Sequence, residues 1–247
     1  MRRVRRTALP AQTESALARR QQTIDDKKAA GTLNVTKEWE GARKTKPLKT
    51  ALGQLRTMAG KRERCMYCGD SHGTDIEHFW PKARYPQQMF RWPNMLLCCT
   101  ECGRFKGDQF PLDDNGLPML VDPSADNPWD YLDFNPDTCT FVARFDLSSN
   151  APFPRGLTTI DILQLDRREA MEAGYRKTHR RILALAEQAV EQASLDAAEF
   201  RDALCDADDH GLIGWYFLGT GARLPTFARL RSKHPEAWDA CTAALAG

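Results

Sequence analysis

Glu77 and His78 stand side by side between two Cys-x-x-Cys pairs, Cys65 to Cys68 and Cys99 to Cys102. Each short pair can present two thiolates to one ion, and two such pairs thirty residues apart have the spacing of a closed tetrahedral zinc site. A metal there ties the two ends of the stretch together, so what lies between is held rigidly although the segment is too short for a core of its own. What lies between is a candidate general base with an acidic neighbour. A neutral imidazole can take a proton from water at cellular pH. A divalent cation held by a carboxylate can neutralise a phosphate and its leaving oxygen. Beside a phosphodiester, His78 could serve as the base and Glu77 as ligand to catalytic Mg²⁺ or Mn²⁺, whereas a lone histidine is more often simply packed. Asp75 shares a strand face with Glu77 under a period of two and is a reserve ligand.

The full order is Glu77-His78-x-x-Pro81, then Asn94-Met95-Leu96, then Cys99-x-x-Cys102-x-x-x-Lys106. It resembles the HNH (ββα-metal) nucleases in their zinc-containing form. More narrowly, Glu77-His78-Phe79-x-Pro81-Lys82, Trp92-x-Asn94 and Lys106-Gly107-x-x-Phe110-Pro111 are similar to the HNH proteins of Septu-type and retron-associated antiphage systems. That resemblance implies an endonuclease working beside an ATPase partner, with Asn94 orienting the segment that carries His78. The family usually places Asn or His after the last zinc cysteine as a second ligand to the catalytic metal, and here that residue is Gly103. Either Glu77 holds the ion with waters and substrate phosphate, or Asp108 supplies the missing oxygen, or catalysis is weakened. A non-catalytic zinc module that binds nucleic acid or scaffolds an ATPase is the alternative reading. Lys82, Arg84, Arg104 and Lys106 surround the site and are candidate phosphate contacts, with DNA expected ahead of RNA.

The elements that must position these groups divide the chain into four stretches. Residues 1–64 form a basic helical arm, 65–111 the zinc-stapled core, 112–156 a loop-rich connector broken by prolines, and 157–247 a helical region. The fold class is mainly α with a small ββα core, α+β overall. In the arm, Thr13 can cap a helix to about Ala30 with little apolar stripe, expected to be exposed. A second helix from Pro47 buries Leu48, Ala51, Leu52, Leu55 and Met58 by their spacing. A short strand is expected at Asp75–Phe79, a second strand preceding or including Asn94–Leu97, and residues 103–108 are expected to begin a helix. Thr140–Phe145 alternates as a strand. Helices are expected from Thr158 or Thr159 to Leu163, from an Asp166 cap toward Ala193, after Ser194, after Pro225 and over 235–245. The apolar run Trp215–Leu218 is either core or a surface for the ATPase.

Residues 1–64 carry 17 Lys and Arg against 6 Asp and Glu, and the rest 18 against 27, so +11 and −9 give the net +2. A basic arm on an acidic body suggests nucleic-acid contact through the arm, or docking of the arm on an acidic surface. No stretch reaches membrane-span length, and the opening arginines precede no apolar signal core. With four of the eight cysteines in ligand spacing and the rest scattered, the expectation is a cytoplasmic protein. No Gly-rich phosphate loop is present, so any ATP dependence belongs to a partner.

Overall fold

The computed structural model describes residues 1–246. They form two compact units, one built from Val4–Tyr67 and Ser71–Ala125, the other from Met1–Arg3, Cys68–Asp70 and the chain from Asp126 onward.

In the first unit, helix α1 (Ala11–Ala29) starts at Pro10, whose fixed φ suits a helix entry. Thr13, expected as its cap, lies inside the helix and is buried, and so are Leu17, Gln21 and Ile24. The helix is thus half interior, because sparse apolar residues at three- and four-residue spacing still make one buried line. Helix α2 (Val35–Arg43) was not anticipated: Asn34 caps it by accepting from the Lys37 amide, and of its residues only Ala42 is buried. Helix α3 (Lys46–Ala59) sinks Leu48, Ala51, Leu55 and Ala59, close to the expected face, and ends at Gly60.

Strands β1 (Asp75–His78) and β2 (Met95–Cys98) pair antiparallel, Asp75 opposite Cys98 and His78 opposite Met95. Every residue of β2 is buried. Gly73 enters this hairpin-like pair where any Cβ would sit 2.3 Å from Leu97 Cγ, so a side chain there would displace the buried strand. Helix α4 (Thr100–Lys106) begins three residues earlier than expected and stops at Gly107, whose φ of +46° terminates it. The β1-β2-α4 succession is a ββα unit.

The second unit opens with the connector, where the expected single strand is one of four. Strands β3 (Leu132–Asn135) and β4 (Thr140–Ala143) pair antiparallel, as do the two-residue strands β5 (Phe145–Asp146) and β6 (Ala151–Pro152). Helix α5 (Pro154–Leu163) starts at its proline, earlier than expected. Helix α6 (Glu169–Glu191) buries Tyr175, Ile182, Ala186, Ala189 and Val190 and has no side-chain cap, Asp166 lying outside it. Helix α7 (Ala197–Ala207) is capped by Asp196. Helix α8 (Ile213–Leu218) buries Trp215, Tyr216 and Phe217, so this run is core, and only Leu218 is exposed. Helices α9 (Pro225–Lys233) and α10 (Pro235–Ala246) follow. Aromatic contacts fill the interior: Phe134 meets Trp215 at 5.3 Å, and Tyr216 stacks on Phe227 at 4.2 Å. His210, buried, joins Thr178 Oγ1 (2.7 Å) to Asp70 Oδ1 (3.1 Å). Among the described residues no helix is long and apolar enough to cross a membrane.

Candidate active site

The four cysteines at 65, 68, 99 and 102 are all buried, and their sulfurs lie within 4.8 Å of one another. A tetrahedral zinc with bonds of about 2.3 Å sets its sulfurs roughly 3.8 Å apart, so a small inward movement closes the site. Cys99 is the N-cap of α4, and its Sγ accepts from the Cys102 amide at 3.4 Å. These residues can hold a structural metal such as zinc. Cys98 is not one of the four but abuts them, its sulfur 4.0 Å from Cys65 Sγ and its thiol donating to the Cys99 carbonyl at 3.2 Å.

Alternation along β1 sends Asp75 and Glu77 to one face and Ile76 and His78 to the other. His78 is 3% exposed. Its Nε2 lies 2.9 Å from the Met89 carbonyl. A carbonyl only accepts, so Nε2 carries the proton and Nδ1 keeps the lone pair of a base. The Trp39 ring of α2 meets the imidazole edge-on with centroids 4.4 Å apart. Burial, then the positive charge of Lys82, push the His78 pKa down from 6.5 to about 3 against the raising effect of the Met89 bond, with Lys106 adding to the fall. The ring is therefore neutral at any physiological pH.

Glu77 meets a cation already in the protein. Lys106 Nζ donates to Glu77 Oε1 and to the His78 carbonyl, each at 2.9 Å, and its side chain is fully buried. Sequence reading placed Lys106 among the phosphate contacts. The geometry corrects this, because an ammonium with no exposed surface and two internal acceptors clamps α4 to β1. Gly103 lies within α4 and half-buried; a Cβ there would stand 3.7 Å from Glu77 Oε2 and 3.9 Å from Cys98 Sγ. Asp75 is exposed and pairs with Arg43 of α2 at 3.0 Å. Asp108 is exposed beyond the end of α4. Among the described residues, the four cysteines are the one group of three or more ligand-type side chains close enough to share an ion. Glu77 belongs to no such group, and its Oε1 is taken by Lys106.

Asn94 is buried and fully used: Oδ1 accepts from the Trp80 amide (2.7 Å), and Nδ2 donates to the carbonyls of Trp80 (3.1 Å) and Gln88 (2.9 Å). It fastens the segment leaving His78 to the turn before Met89. Lys82 lies over the Trp39 ring at 5.7 Å, Arg84 reaches the Phe110 carbonyl at 3.4 Å, and Arg104 is exposed. Sequence reasoning missed Trp39 and Arg43, although a tryptophan in an otherwise basic, polar arm was a visible anomaly. The Met89 carbonyl had no signal, since backbone groups leave none in side-chain chemistry.

The chain thus carries a ββα unit whose flanking cysteines could hold a structural metal such as zinc. Over 118 residues the chain is 25% identical to Septu protein PtuB of Bacillus thuringiensis, covering 46% of this chain and 40% of that protein, and over that stretch it is similar to a Septu protein. It is also 27% identical over 143 residues to protein ea31 of Escherichia phage lambda, covering 53% of this chain and 47% of that one. The chain spans less than half the length of these relatives. No family model matches it, and no solved structure does.

Proposed function

We propose that this chain is an HNH-type endonuclease, hydrolysing nucleic-acid phosphodiesters, DNA before RNA, in antiphage defence beside an ATPase partner. The observation that carries this reading is the hydrogen bond from His78 Nε2 to the Met89 carbonyl, which leaves Nδ1 bare on a strand shared with Glu77. His78 accepts a proton from the attacking water at Nδ1. Its neutral ring needs no prior deprotonation at cellular pH, and the Met89 carbonyl stabilises the imidazolium that forms, against the burial and the Lys82 charge that disfavour it. Asn94 holds the backbone on both sides of the ring, and Lys106 fixes the Glu77 carboxylate by one oxygen. Glu77 would hold Mg²⁺ or Mn²⁺, which supplies neutralisation of the phosphate charge, and Mg²⁺ tolerates few protein ligands. The relation to a Septu protein supports the defence role and the presence of a partner.

The test is cleavage of DNA and RNA by purified protein with Mg²⁺ or Mn²⁺, beside His78→Ala. Cleavage that disappears in the variant supports the enzyme; equal cleavage by both proteins removes it. A second reading, a zinc module that binds nucleic acid without cutting, is favoured by Lys106 on Glu77 and by the missing side chain at Gly103. Retained binding with no cleavage under any metal selects it.

A further inference from the structure

Gln21 is a neutral polar side chain at 2% exposure in the middle of α1, 57 positions before His78, and both ends of its amide are engaged. Oε1 accepts from the Phe90 amide at 2.8 Å. Nε2 donates to the Pro86 carbonyl at 3.1 Å and to Asp25 Oδ1 at 2.9 Å. These two backbone groups bracket Met89, whose carbonyl accepts the hydrogen bond from His78 Nε2. Asn94 holds the Gln88 carbonyl between them. The turn from Pro86 to Phe90 is therefore pinned at three backbone atoms by two buried amides.

We propose that Gln21 is a positioning residue for the reaction described above, setting the Met89 carbonyl so that the imidazole of His78 keeps its proton on Nε2 and its lone pair on Nδ1. The claim rests on that functional reading for its consequence in catalysis, but not for its geometry. A carbonyl orients a histidine only if its own peptide cannot rotate. The short turn Pro86–Gln88 has no long element to stiffen it. Gln21 supplies the stiffness with a donor and an acceptor on one planar amide, a combination that Glu, Met or Lys cannot reproduce at neutral pH. Outer partners that orient a functional histidine typically matter ten- to a hundredfold. A purely architectural Gln21 would instead lower stability and leave the ring's proton where it was.

The experiment uses the full chain with ¹⁵N-labelled histidine. Long-range ¹H–¹⁵N correlation reads which ring nitrogen of His78 is protonated, without any need for activity. In the native protein Nε2 is expected to be protonated and Nδ1 bare. Gln21→Met keeps volume and helix propensity but loses all three bonds, and is expected to give an averaged or changed pattern. Its kcat should fall roughly ten- to a hundredfold with KM little changed. Gln22→Met, on an exposed neighbour, is expected to change neither. Gln21→Glu retains an acceptor for Phe90 and is expected to fall between. An unchanged spectrum in Gln21→Met overturns the proposal, and should that variant not fold, an unchanged spectrum in Gln21→Leu, which also loses all three bonds, does so. If the native protein cuts no nucleic acid, the nuclease reading fails while the spectra still decide whether Gln21 sets the ring.

Discussion

His78 combines a free lone pair with almost no access to water, and the consequence is measurable as pH-dependent stability. Its folded pKa of about 3 lies below the ordinary 6.5, so between these values the unfolded chain binds a proton that the folded chain refuses. Stability from this group is complete above 6.5 and is lost as pH falls toward 3. Its slope is at most about 1.4 kcal/mol per pH unit inside that window. Denaturant unfolding at several pH values should show the native protein weakening faster than His78→Gln between pH 6.5 and pH 4, and parallel curves would contradict the burial. Gly103 poses the other residue-scale question. Its backbone is helical, and a new Cβ would meet only Glu77 Oε2 and Cys98 Sγ at ordinary contact distance. Gly103→Asn is expected to fold, to gain a few tenths of a kcal/mol from helix propensity, and to lower the Mg²⁺ concentration needed for cleavage. Asp108→Ala is expected to be inert because its carboxylate is exposed past the helix end. Loss of cleavage in Asp108→Ala with an unchanged melt would move the missing ligand to that residue.

Among the helices, α2 stands over the site with the least holding it. It has one buried residue, yet it delivers Trp39 to His78 and Arg43 to Asp75. Elements with little buried apolar surface open at low free-energy cost. Trp39→Ala is accordingly expected to speed diethyl pyrocarbonate modification of His78, followed residue by residue in peptide masses, with little change in melting temperature. A rate equal to that of the native protein would mean that other groups cover the ring. The four-cysteine group, which could hold zinc, is expected to behave oppositely, since such a frame depends on all four sulfurs: Cys102→Ser should lower bound zinc from about one per chain and aggregate the protein. The contrast explains what sequence could and could not reveal. Cysteine spacing, the two short strands and the face of α3 depend on neighbours close in sequence, and each was legible. Helix α2, the buried ammonium of Lys106 and the amide of Gln21 were not. Each is a polar pattern that reads as surface until partners tens of residues away in the chain cover it.

At the scale of the whole molecule, the charge asymmetry is real but the basic arm is only partly free. In the unit that carries β1 and β2, Arg6 donates to the carbonyls of Trp92 (2.9 Å) and Met95 (3.0 Å) and to Ser124 Oγ (2.6 Å), and Val4 and Leu9 are buried. Burial lowers the Arg6 pKa, with Asp122 opposing the fall. In the other unit, Met1 is buried and the Arg2 side chain packs where a Cβ on Gly211 would fall. Deleting residues 1–12 would therefore remove interior along with charge, and a loss of nucleic-acid binding after deletion would have two causes. Arg3 and Arg5 are exposed and separate them. If both touch phosphates, Arg3→Ala with Arg5→Ala should leave the melt unchanged. It should also reduce the slope of log affinity against log salt by about 1.8 for duplex DNA, near 0.9 for each lost contact. An unchanged slope with an unchanged melt would assign the excess positive charge of the first 64 residues to α1, α3 and the turn after them, where Arg19, Arg20, Lys49 and Lys61 remain to be tested in the same way.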